Sequence, residues 1–470
     1  MKSLNETQSI CPVCRKPVKA EYTEEDDRVF YTIRCPEHGE TRTLVAANAS
    51  DYINWMDNPV VNIPPKVNIT QGKNEECPLH CGTCENHLQT ACCVLIDVTN
   101  RCNQHCPYCF ATARSDSENS GSQIHEPSLD EIERKYDLLL ELGEEREFNI
   151  QISGGEPTVR DDLPDIISLG KQKGFEYIQL NSNGKRIAEE DGYAQILKDA
   201  GTSVVFMQFD GTNDEIYMKL RNEPLKRIKE KAVENCRQAG LPVALVPTIV
   251  RDINLDNIGS MMSYLLDNVD VVKGIHFQPV SYFGRYPDDN GRVTMFDVLH
   301  ELEKQTSFFK YEDFCPISSG HQLCCFYSTY LKEDENVVCQ LSEETKKNGV
   351  TCCETDDPLT AIKKDRDYVL NKWEMAPLDP GSRCCCDSNE QTESTCCCGN
   401  PAQLKADEPM DFDEFLNQYQ QNTFTVTGMA FQDVTNLDAE RLKRCRVVQL
   451  TEDDRLIPFC AYNSIYREVF

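Results

Sequence analysis

Between residues 92 and 285 short apolar runs alternate with longer stretches whose apolar residues recur every three or four positions. Runs of that length, ended by polar or glycine-rich turns, predict strands, and the amphipathic stretches between them predict helices. The chain should therefore fold there as repeated βα units, joined by right-handed crossovers into a parallel sheet. The strands fall at 94–98, 148–152, 177–181, 204–209, 243–250 and 274–279, enough for a partial (β/α)6 barrel. One helix has legible ends. Ser128 and Glu131 make a capping box, Leu138, Leu139, Leu140 and Leu142 supply apolar positions, and Gly143 stops it.

The flanks follow other patterns. Residues 1–75 predict a small module of the zinc-ribbon or rubredoxin type, in which Cys11-Pro-Val-Cys14, the alternating run VFYTIR and Cys35-Pro-Glu-His38 give two metal knuckles joined by a strand. The ligand set is Cys11, Cys14, Cys35 and His38, for one mononuclear Zn or Fe. Residues 76–91 carry Cys77, Cys81 and Cys84 with no strand feeding them. They read as an auxiliary iron–sulfur loop completed by a distant residue, or as a zinc site with His87 as fourth ligand. From 286 to 470 the chain turns polar, acidic and Cys-rich. Cys445 and Cys460 flank a predicted hairpin turning at Glu452-Asp453-Asp454, placed either to hold a cluster against the barrel's open edge or to form a structural thiol pair. The triplets Cys384–Cys386 and Cys396–Cys398 receive no role.

Composition narrows the partners. A net charge of -30 over 470 residues disfavours nucleic acid and anionic membrane surfaces, both of which favour a basic patch. No apolar run nears the roughly 20 residues that span a bilayer, and the first residues lack a signal-peptide core, so a soluble cytoplasmic protein is expected. In that compartment 26 Cys mean metal rather than disulfides, and an oxidation burden that suits an anoxic or microaerobic cell.

Candidate chemistry gathers at predicted strand ends. Cys102, Cys106 and Cys109 lie three and two residues apart directly behind the first strand, where three thiolates can hold three irons of a cubane 4Fe-4S cluster and leave the fourth open. Gly154-Gly155-Glu156-Pro157 follows the second strand, where paired glycines let backbone approach a ligand and Glu156 can accept from an ammonium. Asn181 and Asn183 end the third strand, either as ligands for a ribose or carboxylate or as Asn-Gly turn residues. Asp210, after the fourth, either binds polar ligand groups or pairs with Arg221 at the rim. His276 and Gln278 share a face of the sixth strand, in the lumen if that face points inward.

CNQHCPYC behind a strand, followed by GGEP and NSNG behind the next two, resembles the radical S-adenosylmethionine (SAM) superfamily. The resemblance implies that the open iron chelates SAM and that reductive cleavage yields a 5'-deoxyadenosyl radical. It also implies that Tyr108 sits near the adenine, that GGEP contacts the SAM amino group, and that Cys102, Cys106 and Cys109 are the catalytic ligands. Together with CPVC, CPEHG, C-x3-CGTC-x2-H and IPFCAYN, the order resembles the tetraether lipid synthases and 7,8-dihydro-6-hydroxymethylpterin dimethyltransferases, also described as class D radical SAM methyltransferases. That family implies auxiliary 4Fe-4S clusters, with Cys445 and Cys460 as candidate ligands together with Cys324, Cys315 or Cys325 in and just before ISSGHQLCC.

The expected function is a radical SAM enzyme that functionalises an unactivated C–H bond, by lipid C–C coupling or by methylation of a pterin or other small molecule, with a reductant such as ferredoxin or flavodoxin. A lipid asks for a long apolar channel between barrel and C-terminal region; a pterin asks for a short polar pocket. The alternative is a non-catalytic iron–sulfur electron-transfer protein, which leaves GGEP and NSNG without a purpose.

Overall fold

A computed structural model describes residues 2–65, 77–115, 126–143, 148–287, 291–342 and 421–467. The first four strands, β1 (Lys2–Ile10), β2 (Pro17–Glu25), β3 (Arg28–Cys35) and β4 (Gly39–Ala46), form an antiparallel meander in that order. A helix, Ala49–Met56, follows, capped by Asn48. This module is not free-standing. Tyr22 and Thr7 donate to the carboxylate of Asp438 at 2.7 and 2.6 Å, Tyr31 donates to the Leu437 carbonyl, and Trp55 to that of Gln322. Residues 66–75, included in the predicted module, lie outside the described residues.

The barrel strands are β5 (Cys93–Thr99), β6 (Asn149–Gly154), β7 (Ile178–Ser182), β8 (Val204–Gln208), β9 (Val243–Val246) and β10 (Val272–Pro279). Each pairs parallel with the next in sequence order, so every crossover helix falls on one face and the sheet curls around the other. Val94, Ile96 and Val98 of β5 bury against the helical layer, while Leu95 buries on the lumen side, beside Phe283 and Phe459. Covering both faces is why these strands read as unbroken apolar runs. The predicted strand 243–250 is split at Pro247, which has no N–H for the ladder; Thr248–Ile249 pair separately with β10.

The capping box exists: Ser128 N–H donates to Glu131 Oε2 at 2.7 Å, and the Glu131 N–H returns to Ser128 Oγ. Of the four leucines assigned to that helix's apolar face, Leu139 is buried with Ile132 and Tyr136, whereas Leu140 faces solvent. The 3.6-residue period lets only part of a leucine run face the core.

The sheet is wider than six strands. β11 (Cys325–Glu333), β12 (Asn336–Cys339) and β13 (Thr423–Met429) extend it from β10, with β13 parallel to β10 and β11 antiparallel to β13. On the other edge β14 (Val447–Leu450) lies parallel to β5 and turns back as β15 (Leu456–Pro458), the predicted hairpin. The region after 286, expected as a separate Cys-rich unit, thus supplies strands to both edges of the barrel sheet. Both Cys triplets fall outside the described residues. No helix among the described residues is long and apolar enough to cross a membrane.

Candidate active site

A cavity of about 240 Å³ opens at the C-terminal ends of the barrel strands. Cys102, Cys106, Cys109 and Tyr108 line it together with Gly154, Gly155, Glu156, Pro157, Asn181 and Asn183. Loops from three consecutive strands therefore meet at one place, as strand-end loops of a parallel barrel must.

The cluster loop is pinned along its length. Arg285 exchanges two backbone hydrogen bonds with Cys109, each 2.8 Å, and its guanidinium donates to the Ala113 carbonyl. Asn183 donates from Nδ2 to Asn103 Oδ1 at 2.7 Å. Gly155 and Glu156 donate from the backbone to the Thr99 and Arg101 carbonyls at 2.8 and 2.9 Å. A Cβ on Gly154 would stand 2.2 Å from the Thr99 oxygen, and one on Gly155 2.1 Å from that of Arg101. The paired glycines admit the cluster loop's own backbone, and both also line the cavity into which the sequence placed a ligand.

Glu156 is buried, and its carboxylate ties two loops together. It accepts from Thr158 N–H and Oγ1, from Ser182 Oγ at 2.8 Å and from Asn183 N–H at 2.6 Å. Asn181 Oδ1 accepts from Gln151 and Gln179. Asp210 does not line the cavity. It is fully buried, with its oxygens accepting from Arg221 Nε and Nη2, both at 2.7 Å, from the Thr248 N–H and from Gln208. A carboxylate so saturated leaves no acceptor for SAM, so the rim ion pair is the reading that the geometry favours. Gln278 reaches the cavity, whereas His276 lies one layer deeper, its Nδ1 2.8 Å from Thr427 Oγ1 and its pKa lowered to about 4 by burial.

Sequence reasoning missed Lys229. It is fully buried behind the Asn183 loop, donating to the Asn183 carbonyl and to Gln208 Oε1, and burial lowers its pKa to about 8. The signal was present: Lys229 falls in phase with Leu225, Ala232, Val233 and Cys236, the buried face of its helix. Phe431 and Phe459 were missed too. Phe459 packs 4.8 Å from Phe431 and 5.7 Å from Phe110, closing the cavity from the C-terminal side.

Nine of the other described cysteines fall into three groups. In the ribbon, Cys11 Sγ and Cys35 Sγ lie 3.6 and 3.5 Å from His38 Nδ1, and Cys14 Sγ lies 3.9 Å from Cys35 Sγ. A tetrahedral ion with bonds of about 2.3 Å to S and about 2.0 Å to N needs edges of about 3.8 and about 3.5 Å, so this donor set fits a single ion. Among the described residues no other set of three converges within the same 4.8 Å. That includes Cys77, Cys81, Cys84 and His87, which line a smaller cavity of about 20 Å³. The zinc alternative with His87 is therefore not preassembled. Cys324 and Cys460 lie beside the buried Arg441, and Cys445 lies beside both thiols: burial pushes the Cys445 thiol well up, and the neighbouring Cys460 and Cys324 push it further. Burial likewise pushes Cys460 up to about 12 and Cys77 up to about 11. Thiols that burial keeps neutral become thiolates when a metal ion binds them. Cys325 adjoins Cys324 and feels both that thiol and Arg441, whereas Cys315 packs with Tyr327 and Leu341.

Comparison with known proteins agrees with this arrangement. The radical SAM superfamily pattern matches residues 96–265, and that of the HMPTM N-terminal zinc ribbon domain matches residues 3–47. The chain is 33% identical over 98% of its length, and 94% of the relative's, to the 7,8-dihydro-6-hydroxymethylpterin dimethyltransferase of Methanocaldococcus jannaschii. Over 39% of its length it is 32% identical to a probable GTP 3',8-cyclase of Methanococcus maripaludis, of which it covers 58%. Solved structures that match include Streptococcus suis SuiB bound to S-adenosylmethionine (14% identity, 47% of this chain and 48% of that one, TM-score 0.38). The maturase HydG of Carboxydothermus hydrogenoformans matches at 16% identity over 46% and 52%, with TM-score 0.38.

Proposed function

Because the chain belongs to the radical SAM family of the 7,8-dihydro-6-hydroxymethylpterin dimethyltransferases, we propose that it methylates a small, planar nitrogen heterocycle of the pterin class. A 4Fe-4S cluster with SAM supplies the one-electron chemistry that opens an unactivated C–H bond. The chain supplies everything that places the bond. Cys102, Cys106 and Cys109 hold the cluster on one wall of the cavity, and the loops ending in Glu156 and Asn183 form the adjoining wall.

The observation that carries the substrate class is the rest of the lining. Gln151, Asn181 and Gln278 project amides from the barrel, while Phe110, Phe283, Phe431 and Phe459 face them from the other side. Amides match the alternating donors and acceptors of a pterin edge, and aromatic faces stack on its rings. A lipid chain wants a long apolar channel, whereas the barrel side of this cavity presents the amides of Gln151, Asn181 and Gln278. A reducing cytoplasm and a low-potential donor of the ferredoxin or flavodoxin type complete the reading, since a thiol-dense chain with an open-iron cluster needs both.

The test is anaerobic turnover of the reconstituted enzyme with SAM, reductant and 7,8-dihydro-6-hydroxymethylpterin, read by mass spectrometry. One or two added methyl groups are expected. An unmodified pterin, with coupling of archaeal-type lipid chains by the same preparation, contradicts the proposal.

A further inference from the structure

Gln104, between the first two cluster cysteines, is 4% exposed and borders the cavity. Its Oε1 lies 3.7 Å from the Cys106 thiol, which donates to it, and its Nε2 is buried without a hydrogen-bond partner. That arrangement belongs to a thiol. Once Cys106 binds iron its sulfur is a thiolate, which accepts and cannot donate, and Oε1 would then face another acceptor. Half a turn of the amide removes both faults. Nε2 comes to the thiolate, and the group displaced is a carbonyl oxygen, more readily left under-satisfied than an N–H. The backbone N–H of Gln104 already donates to the Cys102 sulfur.

We propose that Gln104 is a positioning residue that donates one N–H to each of two cluster thiolates, from the side chain to Cys106 and from the backbone to Cys102. Hydrogen bonds to thiolate sulfur favour the more negative, reduced cluster and raise its potential. Gln104 thus sets how readily an external donor can charge the cluster. The inference rests on the cluster at Cys102, Cys106 and Cys109, and not on which substrate is methylated.

The experiment compares wild type and Gln104→Leu, both full-length and anaerobically reconstituted. EPR-monitored potentiometry of the signal that changes on adding SAM should give a more negative midpoint in Gln104→Leu, at wild-type iron and sulfide per chain. An unchanged or more positive midpoint overturns the proposal. Where the variant does not retain the cluster, wild type decides alone. Isotope labelling of the glutamine side-chain amide should produce a nitrogen hyperfine coupling in the SAM-responsive signal that changes with the isotope, and its absence overturns the proposal equally.

Discussion

Arg221 grips the buried Asp210 with two hydrogen bonds of 2.7 Å, and its third nitrogen donates to the backbone carbonyl of Tyr108 at 2.8 Å. One ion pair thereby fixes both the end of β8 and the cluster loop. Removing one partner of a buried pair costs about 3–5 kcal/mol, because the other charge is left uncompensated. Arg221→Met should lose about that much stability and retain less cluster iron. The double variant with Asp210→Leu should recover stability without recovering iron retention. Wild-type iron content in Arg221→Met would show that the Tyr108 contact is idle.

Gly155 offers a steric test of the same loop. Its Cβ position lies 2.1 Å from the Arg101 carbonyl oxygen, and neither backbone can yield without moving the loop. Gly155→Ala should cost about 1–3 kcal/mol by overpacking and depress SAM cleavage. Gly192, in the left-handed region at φ +81 with open space around it, serves as control. Gly192→Ala should leave cleavage intact. Equal cleavage in both variants would argue against the close approach.

Lys229 gives a signed pH dependence. Its pKa is about 8 in the folded chain, against about 10.4 unfolded. Between those values the unfolded chain binds more protons, so this group makes stability rise with pH from about 8 to about 10.4 and contributes no slope below or above. Lys229→Met should flatten that part of the stability curve. Superimposable slopes for the two proteins would refute the assignment.

The ribbon predicts a metal stoichiometry. Cys11→Ala with Cys35→Ala should remove about one zinc or iron per chain and leave the iron of the barrel cluster in place. Tyr22 and Tyr31 bond across to Asp438 and Leu437, so the loss should also loosen that contact, read as tyrosine exposure. Unchanged metal content would exclude this site.

Much of this was legible because it is local. All six barrel strands sit within two or three residues of their predicted starts, and the cysteine spacing, GGEP and NSNG fall at their ends. What stayed hidden depends on distant partners. Thr423–Met429 joins β10 and Val447–Leu450 joins β5 across long separations that no periodicity records. For Asp210 the sequence left a ligand role and a pair with Arg221 both open, and only the fold of the next helix decides for the pair. Gly154 and Gly155 advertise a close approach without saying to what, and only the register beside Thr99 and Arg101 supplies the answer.

The most direct measurement of the central claim is 5'-deoxyadenosine formation by the full chain, reconstituted anaerobically with iron, sulfide and SAM and reduced with dithionite. Wild type should produce it, and the Cys102→Ala, Cys106→Ala, Cys109→Ala triple variant should produce none while binding about one cluster's iron less. The corresponding triple variant at Cys77, Cys81 and Cys84 should still cleave SAM. Cleavage that survives loss of Cys102, Cys106 and Cys109 would contradict the account.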